Sequence, residues 1–149
     1  MKKLSLFLFV CVLLSFTACD SPSFSKGDVK RKYYTGGGIR SEFIPSDKTG
    51  QNGVLKQYGY NGKLTSQIKM RNGVKDGIET WYDENARAIR QVPFINGRKH
   101  GIMKELYPNG NTMAAIPFQN GIRHGTARLY NKDGSVFRTV EFRKGRIVH

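Results

Sequence analysis

Asn96-Gly97-Arg98-Lys99-His100-Gly101 recurs 24 residues later as Asn120-Gly121-Ile122-Arg123-His124-Gly125, with Tyr107-Pro108-Asn109-Gly110 between the two copies. Asn72-Gly73 stands one step upstream and Lys144-Gly145 one step downstream. A second glycine follows five residues into each unit, at Gly77, Gly101 and Gly125, with Gly53 one unit earlier. Ten residues in are Tyr58, Tyr82, Leu106 and Tyr130. Fourteen in are Gly62, Gly110 and Gly134, each preceded by Asn61, Asn109 or Asp133, while Asn85-Ala86 takes that place in one unit. Tyr34 and Gly38 extend the register upstream. So regular a period predicts units at 24–47, 48–71, 72–95, 96–119 and 120–143, with a partial unit at 144–149.

Asn-Gly and Asp-Gly pairs tolerate positive φ at both residues and are the strongest short-range hairpin signals. Two such turns per unit predict two strands per unit. The second strand alternates: Ile68/Met70, Val92/Phe94, Ile116/Phe118 and Val140/Phe142 share one face, and Lys69, Gln91, Gln119 and Glu141 are assigned away from it. In the first strand Val54, Ile78 and Ile102 alternate with the tyrosine position, and are read as apolar-face residues. The period is two, with no helical stripe. Pro93 and Pro117 sit inside this pattern and remove ladder donors, so they are placed on the outward side, at a bulge or beside an unpaired carbonyl. The fold class expected is all-β: tandem 24-residue hairpins in an open antiparallel meander of roughly ten strands, near the size at which open sheets curl.

Ahead of the repeats lies a leader pattern. Lys2 and Lys3 precede the apolar run Leu4 to Phe16, whose 13 residues fall short of the roughly 20 that a bilayer span needs. The run fits the hydrophobic segment of a secretory signal. Phe16-Thr17-Ala18-Cys19 then resembles the lipobox of bacterial lipoproteins, which have Leu more often than Phe at the first position. The resemblance implies cleavage after residue 18 and a lipid on Cys19. Ordinary cleavage near Ala18, leaving a free thiol, is the alternative. Cys11 lies within the leader, so the mature chain would hold one cysteine and no internal disulfide. Segments 1–18 (leader), 19–31 (lipidated N-terminus and flexible tether) and 32–149 (repeat domain) follow. The expected location is the cell envelope, with Asp20 resembling an inner-membrane retention signal and the choice of membrane open.

Charge is the second broad constraint. The chain carries 25 basic and 11 acidic residues, and losing Lys2 and Lys3 leaves 23 basic, a formal +12. An excess of this size favours anionic partners: an acidic protein, or an anionic membrane surface or cell-wall polymer. Nucleic acid is not expected for an exported chain, and a merely solvated basic surface is the bland reading. Candidate binding residues are Trp81, Arg87, Arg90, Arg98, Lys99, Arg123, Arg128 and Arg138, because tryptophan and arginine recur at binding surfaces and the cations could form a stripe. Trp81, Tyr33 and Tyr60 fall off the main apolar register.

Tyr-x-x-Asn-Gly followed by Asn-Gly-x-x-x-Gly resembles the bacterial variant of the MORN repeat, and within it the YwqK-like antitoxin family. The resemblance covers about residues 32–149. It implies a hairpin array that binds a protein or a membrane surface, and for an exported lipoprotein an envelope immunity role.

Catalytic apparatus is not legible. His100 and His124 lie one repeat apart, but the equivalent Asp76 and Asn52 supply no obvious third ligand, and a polar residue before the turn glycine explains both. Gly36-Gly37-Gly38 lacks the Lys-Ser/Thr of a phosphate loop and reads as a tight turn. Glu42, Asp47, Asp76, Glu79, Asp83, Glu84, Glu105, Asp133 and Glu141 form no repeated acid/base pair. A non-enzymatic protein without metal or cofactor is the expectation.

Overall fold

The computed structural model describes residues 27–148. The leader, Cys19 and tether residues up to 26 lie outside the described residues. Every regular element described is a strand: β1 (Lys30–Tyr33), β2 (Ile39–Pro45), β3 (Gly53–Tyr58), β4 (Leu64–Arg71), β5 (Val74–Lys75), β6 (Gly77–Tyr82), β7 (Ala88–Ile95), β8 (Arg98–Lys99), β9 (Gly101–Leu106), β10 (Thr112–Gln119), β11 (Ile122–Arg123), β12 (Gly125–Tyr130), β13 (Val136–Arg143) and β14 (Arg146–Val148). They form one antiparallel meander in the order β1-β2-β3-β4-β6-β7-β9-β10-β12-β13-β14. The two-residue strands β5, β8 and β11 fold back on the ends of β4, β7 and β10. The first strand begins at Lys30, slightly inside the segment expected as tether.

Two turn types alternate. At Asn72-Gly73, Asn96-Gly97, Asn120-Gly121 and Lys144-Gly145 both residues have positive φ, 47–50° and then 75–90°. That is the type I′ geometry whose twist matches a two-residue hairpin. The turns also staple successive units: the amides of Gly73, Gly97, Gly121 and Gly145 donate to the carbonyls of Gln51, Lys75, Lys99 and Arg123 at 2.7–2.9 Å. At the opposite end the amides of Gly62, Ala86, Gly110 and Gly134 donate three residues back, closing type I turns followed by a left-handed residue. The strand register shifts beside each of these turns. The triple glycine turns as expected, with Gly37 donating to the Tyr34 carbonyl at 2.9 Å.

The prolines fit for a reason of ladder geometry. Within a strand, the N–H and C=O of one residue point to the same neighbour. The carbonyls of Pro93 and Pro117 accept from His100 and His124 at 3.0 and 3.1 Å, so the missing donors fall on that side, beside the bulges at Gly101 and Gly125. There β7 and β9 pair only through Arg90↔Glu105 and Gln91↔Lys104. The carbonyls are therefore satisfied, and the ladder is open where proline would have broken it.

One face holds the core. Ile68, Val92, Phe94 and Met103 are buried together, with Leu55, Met70, Trp81, Ile116 and Phe118 packed around them. Among the described residues no second layer covers this face, so such burial requires the sheet to curl and neighbouring rows to cover one another; we call it the inner face. Each fully buried side chain contributes roughly 1.5–3 kcal/mol. The second-strand alternation is as read from the sequence, but the first-strand parity is reversed. Ile78 pairs with Pro93 and Ile102 with Pro117, and the two isoleucines are 59% and 53% exposed. Leu55, Glu79, Met103 and Ala127 take the inner positions instead. The left-handed residue at each far turn adds one residue to the hairpin, and that flips the face.

Candidate binding surface

The sequence candidates do not form one stripe, because strand alternation divides them between two faces. Trp81 lies on β6 between Ser66 and Arg90 in the cross-strand register, half-buried against the core. Arg90, on the inner face, reaches Glu105 of the next unit at 3.0 Å. Arg138 stands further along the same row, opposite Leu129. Arg87 belongs to a turn, where it pairs with Asp83 at 2.8 Å. Only Arg98, opposite Ile95, and Arg128, beside buried Ala127, project from the outer face.

Lys99 and Arg123 do something the sequence reading missed. Lys75 stands over the Phe94 ring at 4.9 Å, Lys99 over Phe118 at 5.3 Å and Arg123 over Phe142 at 5.4 Å. Each cation sits on the short strand after a type I′ turn, so the 24-residue period builds a ladder of cations interleaved with phenylalanines along one end of the inner face. Contacts of this kind contribute about 0.5–1 kcal/mol at exposed sites. The signal was present in sequence as a cation at the fourth position of the units that begin at 72, 96 and 120, with phenylalanine at the twenty-third. Lys75 also pairs with Glu79 at 2.6 Å, a carboxylate only 4% exposed beside Val92.

Two of the far turns are held by aspartates and two by asparagines, Asn61 and Asn109, which accept from the amides of Lys63 and Asn111 at 3.1 Å. Asp83 accepts from the amides of Asn85 and Arg87 at 2.9 Å, and Asp133 from the amide and hydroxyl of Ser135. The Arg87 amide bond foremost holds the Asp83 carboxyl below the usual range; at Asp133 the Ser135 hydroxyl leads. Near the first turn, the Asn52 side-chain amide is the main group depressing Asp47. Burial, then the Glu42 carboxylate, pushes the Tyr58 phenol up. These are structural roles.

The outer face carries an apolar patch. Ile78 and Ile102 alternate with Pro93 and Pro117 across the strands, and Ile95 and Ile122 stand exposed near the type I′ turns. Lys69, Arg98, Lys104 and Arg128 rim this patch, all exposed. An apolar centre with a charged rim is the anatomy of a protein interface. The patch was hidden from sequence reasoning by the reversed parity of the first strand. His100 and His124 hold their repeat position through main-chain bonds, and among the described residues no group of three His, Cys, Asp or Glu could hold a metal ion. Nor does any described helix have the length and apolarity to cross a membrane.

Comparison with known families finds the MORN repeat variant at residues 99–120, which run from β8 through β9 and β10 to the next Asn-Gly turn. That stretch is nearly one period long, and the same strand and turn pattern flanks it on both sides. No curated protein sequence matches the chain significantly.

Proposed function

We propose that this chain is a non-catalytic binding protein of the cell envelope, antitoxin- or immunity-like, whose outer face docks an acidic protein. The carrying observation is the exposed row Ile78, Pro93, Ile102 and Pro117 rimmed by Lys69, Arg98, Lys104 and Arg128. Isolated exposed isoleucines are ordinary, but a contiguous patch of them on a soluble surface marks an interaction site. The cations exclude basic partners by like-charge repulsion and steer acidic ones. In this reading Cys19 carries a lipid that holds the array at the envelope, and the likeness to YwqK-type antitoxins supplies the immunity role.

The test is capture from the parent organism's envelope and from secretions of related strains. The bait is the chain from residue 19 onward carrying Cys19→Ser, which retains every described strand. One protein held at high salt, and bound at least about 100-fold more weakly by the Ile78→Asp/Ile102→Asp variant, is the expected result. Equal binding by the variant refutes the outer face as the dock.

The same apolar and basic juxtaposition also favours a second reading, an anionic bilayer surface. Vesicles of phosphatidylglycerol and phosphatidylethanolamine separate the two. Salt-labile vesicle binding with no protein captured would establish the membrane reading. Loss of membrane association by full-length Cys19→Ser, with the soluble domain intact, is expected for the anchor under either reading.

A further inference from the structure

The first strand of the sheet borders a trough that the outer-face reading does not use. Along the inner face of β1 to β4 runs an open cavity of about 640 Å³. Phe43, Leu55 and Met70 line it, and Lys30, Lys32 and Arg40 stand at its β1–β2 side. The cross-strand register explains the arrangement. Lys30 lies opposite Phe43, which lies opposite Leu55; Lys32 lies opposite Ser41, which lies opposite Gln57. Both lysines therefore share the face of the buried core, while Arg31 points to the other face and is paired with Glu42 at 2.8 Å. Among the described residues no carboxylate lies within ion-pair distance of Lys30, Lys32 or Arg40.

The edge itself is open. β1 pairs with β2 on one side, and no described strand lies on the other. Such an edge turns main-chain donors and acceptors outward and is a template for an added strand. A strand added there would send alternate side chains toward the inner face, because side-chain direction has period two. Those side chains would arrive beside Lys30 and Lys32, over the mouth of the trough.

We propose that the β1 edge and the adjoining trough form a second binding site, for an extended acidic peptide segment that adds to the sheet as a strand. Its alternate, inward-facing carboxylates meet Lys30 and Lys32, and the methylenes of those same side chains lie toward Phe43 at the β1–β2 side of the trough. The site is independent of the outer-face reading, since it uses the opposite face and the sheet's first edge.

The probe is a fluorescein-labelled six-residue peptide of alternating glutamate and threonine, titrated by anisotropy against the chain from residue 19 with Cys19→Ser. Two further peptides keep every charge but carry N-methyl groups on alternate amides, in one phase or the other. Strand addition requires one of the two to lose binding by at least about tenfold. Lys30→Glu/Lys32→Glu is expected to weaken the parent peptide by at least about tenfold. Lys132→Glu/Lys144→Glu, with the same change in net charge far from the edge, should leave it within about twofold. Circular dichroism of each variant checks that the sheet persists. Equal loss in both charge-reversal variants would reduce the binding to general attraction by a basic protein, and equal binding by both methylated peptides would exclude strand addition. Either result overturns the proposal.

Discussion

Consider replacing Lys75 with methionine. Glu79 is 4% exposed on the inner face, and among the described residues its carboxylate has one ion-pair partner, the Lys75 ammonium at 2.6 Å. Its equivalents in the other units are Leu55, Met103 and Ala127. Removing the lysine leaves a buried charge unpaired, which costs about 3–5 kcal/mol. The ring contact with Phe94 is lost as well, at about 0.5–1 kcal/mol. Against a total stability of roughly 5–15 kcal/mol this is a large fraction. With a urea dependence of about 2 kcal/mol per molar, the midpoint should fall by roughly 2 M. Lys75→Met/Glu79→Met should recover most of this loss or exceed the parent, since replacing both members of a buried pair by apolar residues is often neutral or stabilising. Urea denaturation of the parent, both single variants and the double closes the cycle. A single-variant cost below about 1 kcal/mol would refute the claim that Glu79 depends on Lys75. A double variant no better than Lys75→Met would place the lysine's contribution in the phenylalanine contact instead.

Other outcomes follow from individual positions. Ala86 occupies a left-handed turn position, φ 59°, where the other units have glycine, so Ala86→Gly should stabilise the array by about 1 kcal/mol in the same assay. Phe94→Ala should cost about 3–5 kcal/mol, and Phe118→Ala distinctly less because Phe118 is only half-buried; equal costs would contradict the burial pattern. Asp47, Asp83 and Asp133 have carboxyls held below their ordinary value of 3.8 in the folded state. Their stabilisation is therefore full above 3.8 and is lost as pH falls through the depressed values. Urea midpoints should decline on acidification below that value, and less steeply in Asp83→Asn/Asp133→Asn; an unchanged slope would mean that these turns contribute nothing to the acid response.

Much of this architecture is written in short-range chemistry. The Asn-Gly pairs impose positive φ wherever they occur, so the period of the turns is the period of the sheet. Ile68, Val92, Ile116 and Phe94 were legible as core because their strand runs without interruption from one type I′ turn. Ile78 and Ile102 were not, because their face is counted from the other turn, where a left-handed residue inserts one extra position. Val54, Ile78 and Ile102 on one side and Leu55, Met103 and Ala127 on the other are both apolar series, and hydrophobicity alone does not choose between them. That choice hid the outer patch. Among the binding candidates, composition identified Trp81 and the arginines, but strand alternation and cross-strand pairing decide which are free. Arg90 and Arg87 have acidic partners, Lys99 and Arg123 have rings, and only Arg98 and Arg128 join the outer rim. The short strands β5, β8 and β11 escaped notice because two residues carry no period.

The assignment of faces underlies both proposed sites, and thiol reactivity tests it directly. Single-cysteine variants Ile78→Cys, Ile102→Cys, Val92→Cys and Met103→Cys would be made in the chain from residue 19 carrying Cys19→Ser. Each is then challenged with a water-soluble thiol reagent under native conditions. The cysteines at 78 and 102 should react as fast as a thiol in an unfolded peptide, and those at 92 and 103 should be strongly protected until urea unfolds the sheet. Protection at 78 and 102 with rapid reaction at 103 would contradict the face assignment, return the isoleucines to the core, and remove the outer docking surface.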